Sequence, residues 1–160
     1  MDASHAPHIA ASLTDRLNER EETVRLEALA ALMQVLRVAP RALGPHTQMV
    51  SALSSWRSAT AQVAALQALT TLVASLGADL PQSDTALRMA LSVIEDDAAA
   101  SHYSQGRCMA GLELLKQLCL SAPSVVLTDV DRVSSTLAQV SCQPYHRTAL
   151  EALAVGPPFF

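Results

Sequence analysis

Four stretches of this sequence hold residue types that could do chemistry. In "NEREETVRLEALAAL" (18–32), Glu19, Glu21 and Glu22 stand beside Arg20 and Arg25, so three carboxylates could converge for acid-base work. Acidic groups at a helix start also favour its positive dipole end, by about 0.3–1 kcal/mol each. An apolar helix follows directly, so the spacing predicts a turn rather than a catalytic site. Arg20 and Arg25 would offset the repulsion among the carboxylates.

Glu95-Asp96-Asp97 suggests a divalent cation, but a calcium loop needs alternating oxygen ligands and a closing glutamate. "EDDAAASHYSQG" supplies neither, and is expected to be a solvated loop between paired helices. Cys142 and His146 could begin a zinc site, yet no second pair completes four ligands. Cys108 and Cys119 fall on one apolar helical segment, where packing is the expected role. There is no Gly-x-Ser-x-Gly elbow and no glycine-rich phosphate loop. No catalytic residue, cofactor, metal or small-molecule substrate is therefore expected, and a small helical enzyme is the weakest of the readings.

The elements that would hold these residues are helices. Half of the 160 residues are apolar, 16% are charged and 3% are aromatic, so Ala and Leu must carry the burial. That composition favours closely packed helices over a β-sandwich. The formal net charge is −4 and Lys116 is the single lysine, so no basic cluster exists for nucleic acid or an anionic membrane. Three cysteines without a Cys-x-x-Cys point to a reducing cytoplasm or nucleus. The start "MDASHAPHIAASL" lacks the basic residues and long apolar run of a signal peptide. No stretch approaches the roughly 20 uninterrupted apolar residues of a membrane span.

Four apolar segments align: "VRLEALAALMQVLRVAP" (24–40), "QVAALQALTTLVASLGADLP" (62–81), "RCMAGLELLKQLCLSAP" (107–123) and "RTALEALAV" (147–155). Their anchors are Leu29, Leu69, Leu112 and Leu153, spaced by 40, 43 and 41 residues. Ala39-Pro40 recurs as Ala122-Pro123 at the offset that relates Leu29 to Leu112, and Cys119 takes the register of Leu36. A period near 40 with helical internal spacing is the mark of HEAT and armadillo arrays.

A shorter amphipathic segment precedes each: Ile9, Leu13 and Leu17; Met49, Leu53 and Trp56; Leu87, Leu91 and Ile94; Val130, Val133, Leu137 and Val140. Gly44-Pro45, Gly77, Pro81 and Pro123 fall between units, where proline cannot continue a helix. Ser83 precedes a helix, and Thr128 with Asp131 approximates a capping box.

The fold expected is all-α, a HEAT-type α-α superhelix of about four helical hairpins, ARM-repeat-like, with the second helices lining one side. It would be a single solenoid fragment over 1–160, with repeats near 6–39, 45–77, 83–122 and 128–155 and an irregular tail at 156–160. The last unit is expected to be incomplete, leaving apolar surface around Leu150, Val155, Phe159 and Phe160.

At "LNEREETVRLEALAALMQVLR" the sequence resembles the central HEAT repeats of the cullin-associated and neddylation-dissociated (CAND) family. There a comparable first helix ends in an aromatic, and a Glu-Arg-Glu-Glu-x-Val turn leads into the second helix. Glu19 to Val24 match that turn, while Leu17 stands at the aromatic's place. The likeness continues through "MVSALSSW…LQALTTLVASLGADLPQ", "LSVIEDDAAASHYSQGRCMAGLELLKQLCLSAPSVV" and "SCQPYHRTALEALAV", over roughly 8–155. An insertion associated with the segment between the first two units is missing, and so are the flanking arrays.

What the resemblance implies is a binding scaffold. CAND proteins wrap cullins that lack the modifier NEDD8 and promote exchange of substrate-receptor modules on cullin-RING (SCF-type) ubiquitin ligases. This protein would be a central piece contributing curvature and part of a contact surface. Another HEAT scaffold, a transport receptor or a chromosome-associated factor, would share the same packing signature. Arg57, Tyr103, Arg107, Tyr145 and Arg147 fall at or near turns between paired helices and are the candidate protein contacts, since Arg and aromatic side chains anchor interfaces.

Overall fold

The computed structural model describes residues 5–39, 46–99 and 105–141. All the secondary structure among them is helical: α1 (Ala6–Arg16), α2 (Glu22–Val38), α3 (His46–Ser54), α4 (Ala59–Leu76), a 3-10 turn (Gly77–Asp79), α5 (Ser83–Ala99), α6 (Gln105–Ser121), α7 (Pro123–Leu127) and α8 (Val130–Ser141). Leu150, Leu153, Val155, Phe159 and Phe160 lie outside the described residues, as does Gly44-Pro45.

One burial register recurs in three helices. Ala28, Leu29, Leu32 and Leu36 of α2 are buried, as are Ala68, Leu69, Leu72 and Leu76 of α4 and Gly111, Leu112, Leu115 and Cys119 of α6. The spacing i, i+1, i+4, i+8 is one helical stripe. A small residue precedes each anchor leucine, and at Gly111 the reason is visible. A Cβ there would sit 3.1 Å from Ile94 Cγ1 and 3.4 Å from the Ala90 carbonyl oxygen, so glycine lets α6 close on α5.

The repeated Ala-Pro pair stops two of these helices in the same way. A residue before proline is pushed out of the α region. Ala39 takes φ −143° and ψ 80°, and Ala122 takes φ −143° and ψ 58°. Each still donates its N–H to the carbonyl four residues back, at 2.8 Å. After Ala122 the structure departs from expectation, because Pro123 opens the short helix α7. Its missing N–H costs nothing at a first helical position.

Two layers result. In one, α4 packs between α2 and α6; in the other, α5 packs between α3 and α8. Met49, Leu53, Leu87, Leu91, Ile94, Val133 and Val140 fill the space between them. By length and composition the segment Ala59–Asp79 is apolar enough to cross a membrane. In this fold its leucines are the centre of the core, with Leu66, Leu69 and Leu72 fully buried.

Gly77 ends α4 at φ +56° and ψ −129°, backbone that side chains avoid, and a Cβ would lie 3.0 Å from the Ser121 carbonyl oxygen. Gly77→Ala is therefore expected to destabilise by about 1–3 kcal/mol. Urea denaturation of the two proteins measures this, and equal midpoints would exclude the close approach to the end of α6.

Two local expectations are corrected. Glu95-Asp96-Asp97 is not a loop: α5 continues through all three residues to Ala99. Thr128 does not cap α8; it ends α7, and its hydroxyl donates to the Val125 carbonyl at 2.6 Å.

Candidate functional site

The carboxylate cluster of 19–22 forms the turn between α1 and α2. Arg25, on the first turns of α2, folds back over it: its Nη1 donates to the carbonyls of Glu19 at 2.9 Å and Arg20 at 3.0 Å. Two backbone carbonyls of the turn, which belong to neither helix, are thereby satisfied. Glu22 reaches across to the start of α4 and accepts from the Ser58 hydroxyl. That same oxygen caps α4 by accepting from the Ala61 N–H at 3.1 Å. Glu22 thus supports the start of α4, and the Glu19 carboxylate lies 3.7 Å from the Arg16 guanidinium at the end of α1.

From this turn a hydrogen-bonded ladder runs along one edge of the molecule. Trp56 Nε1 donates to the Leu17 carbonyl at 3.2 Å, joining the end of α3 to the end of α1. The Trp56 carbonyl accepts from Gln62 Nε2 at 3.2 Å, and Gln62 Oε1 accepts from Arg107 Nη1 at 3.1 Å. The Arg25 guanidinium lies over the Trp56 ring, 5.7 Å from its centroid. Its Nε is buried without a hydrogen-bond partner, and the ring face supplies the attraction instead. Beside the ladder, Asn18, Glu19, Arg57 and Ser58 line a small notch.

Of the candidate contacts, Arg57 lies exposed on this edge, in the turn that starts α4. Arg107 begins α6 and is half-buried, its guanidinium engaged with Gln62. Tyr103, Tyr145 and Arg147 lie outside the described residues, so only Arg57 and Arg107 are brought to a common edge. Nothing local in the sequence announces these roles for Trp56, Arg25 and Gln62. A lone tryptophan beside a turn is the one available signal.

A second polar cluster ties α5 to α8. Arg132 grips Glu95 with both ends of its fork, Nε to Oε1 at 3.0 Å and Nη2 to Oε2 at 3.1 Å, and Thr136 donates to Oε1 at 2.8 Å. The Arg132 hydrogen bonds hold the Glu95 carboxyl below the usual glutamate range, against the opposing effect of burial. Arg132 is raised by the same partner. The two residues are 37 apart in sequence, so no local motif announces the pair.

A carboxylate whose folded pKa is depressed stabilises the fold fully above its ordinary pKa, and the stabilisation is lost as pH falls through the folded value. Both side chains are about one-third exposed, so Glu95→Gln should cost about 1 kcal/mol at neutral pH. The gap between the urea midpoints of the two proteins should shrink as pH falls from neutral to below the carboxylate range. A gap independent of pH would sink the ion-pair account.

Among the described residues, no three His, Cys, Asp or Glu side chains group closely enough to hold a metal ion. Cys108 and Cys119 are buried, and burial pushes the Cys119 thiol up, away from the reactive thiolate. Cys142 and His146 lie outside the described residues.

Compared with family models, with curated proteins and with solved structures, the sequence and fold match none of them.

Proposed function

We propose that this protein is a protein-binding scaffold, a HEAT-type superhelix of helical hairpins, and a central part of a CAND-like regulator of cullin-RING ligase assembly. It works in the cytoplasm or nucleus by binding and not by catalysis. The observation that carries the architectural part is the burial register shared by α2, α4 and α6. Each hairpin buries its stripe against its neighbours, as units of a linear array do. The cullin part rests on the resemblance at Glu19 to Val24 and the co-linear segments after it. The ladder from Leu17 to Arg107 supports the scaffold reading, because it ties α1, α3, α4 and α6 together along one edge that a partner could meet.

The test is a pull-down of this protein, and of a form extended at both ends, against an unmodified and a NEDD8-modified cullin-RING scaffold. Binding of the extended form to the unmodified scaffold alone is the expected result. Absence of binding by either form would overturn the cullin reading and return the function to a different protein partner.

A further inference from the structure

Among the described residues, the layer containing α3, α5 and α8 has a gap at one end. α3 packs on α5, and α5 on α8, whereas α1 makes its close packing with α2 rather than with α3. Where α1 and α3 part, an open cleft of about 580 Å3 reaches the start of α5. That lies within the roughly 300–1,000 Å3 of ligand sites. Three carboxamides line it, one from each element: Asn18 after α1, Gln48 on α3 and Gln82 before α5.

The chemistry of this lining is selective. The hydroxyls of Thr14 and Ser55 are turned back onto the Ala10 and Ala52 carbonyls, both at 2.7 Å. The carboxamides and the carboxylate of Asp15 engage no other described residue. Among the described residues no Arg or Lys lines the cleft, so they offer a phosphate no counter-charge. A carboxamide carries both donor and acceptor in the planar geometry of a peptide bond, and can meet a backbone carbonyl and a backbone N–H together. Asp15, the one charged group among the described lining residues, adds a preference for a cation.

We propose that this cleft holds an extended segment of a partner polypeptide by its backbone, with a basic side chain of that segment at Asp15. The proposal rests on the protein-binding reading but not on the identity of the partner as a cullin.

The experiment is a fluorescence-anisotropy titration of the 160-residue protein with a labelled octapeptide of alanine and serine carrying one central arginine. Two counterparts accompany it, one with glutamate for arginine and one with an N-methylated backbone. Saturable binding of the arginine peptide is expected, weakened about tenfold by N-methylation. Asn18→Ala and Gln48→Ala should each weaken it about three- to tenfold, the worth of one hydrogen bond. Asp15→Asn should abolish the preference for arginine over glutamate. All three side chains are exposed, and unchanged thermal melts will show that the variants fold. No saturable binding up to about 1 mM, or equal binding of the N-methylated peptide, would overturn the proposal. The titration contains no cullin, so its failure and a failed cullin pull-down are separate results.

Discussion

Trp56→Ala should lower the unfolding free energy by about 3–5 kcal/mol, the range for deleting a buried aromatic. The ring is 4% exposed and sits where the ends of α1 and α3 meet the start of α4. Truncation removes its packing, strips the Leu17 carbonyl of its donor, and leaves the Arg25 guanidinium without the ring face beneath it. Trp56→Phe separates these effects, keeping most of the apolar area while deleting the indole N–H. About 1–2 kcal/mol is expected for it, one hydrogen bond and a small void. Urea unfolding followed by circular dichroism reads both variants. If Trp56→Ala stays within about 1 kcal/mol of the parent, the ladder does not join the units as described.

Leu69→Ala and Leu112→Ala are expected to cost about 2–5 kcal/mol each. Leu69 is 0% and Leu112 2% exposed, on the two helices that pack together most extensively. For a protein of 160 residues that loss corresponds to a melting temperature lower by roughly 5–15 °C. Because α4 and α6 share one packed interface, the double variant should depart from the sum of the singles. Leu120→Ala supplies the contrast: this leucine is on α6 but 56% exposed, so a change within about 0.5 kcal/mol is expected. Melts unchanged by both core substitutions would sink the register that defines the units.

That register is legible in the sequence. A stripe of Ala and Leu at helical spacing has one way to leave water, and each of Leu29, Leu69 and Leu112 is buried. Cys119 is buried at the register of Leu36, as the alignment of the two segments predicts. Helix stops are equally local, since the residue before a proline is restricted wherever it occurs. Glu95 is the instructive failure. Three consecutive acids look like a solvated loop, yet the helix runs through them, and Arg132 and Thr136 on a neighbouring helix receive the first. Ile9 marks the other limit: it begins an apolar helical stripe but remains exposed, since α1 does not pack closely on α3.

The sequence by itself thus determined the longer helices, the buried stripes of α2, α4 and α6 and the turn after α1, because each depends on residues within a few positions of one another. Only the tertiary structure decided what those stripes pack against. It placed Trp56 on Leu17, Arg107 on Gln62 and Arg132 on Glu95, across 39, 45 and 37 residues of sequence. Such contacts depend on how one hairpin rotates against the next, and summed packing over the whole interface sets that rotation. A polar group at a turn has many partners available to it and finds its own only when the layers close.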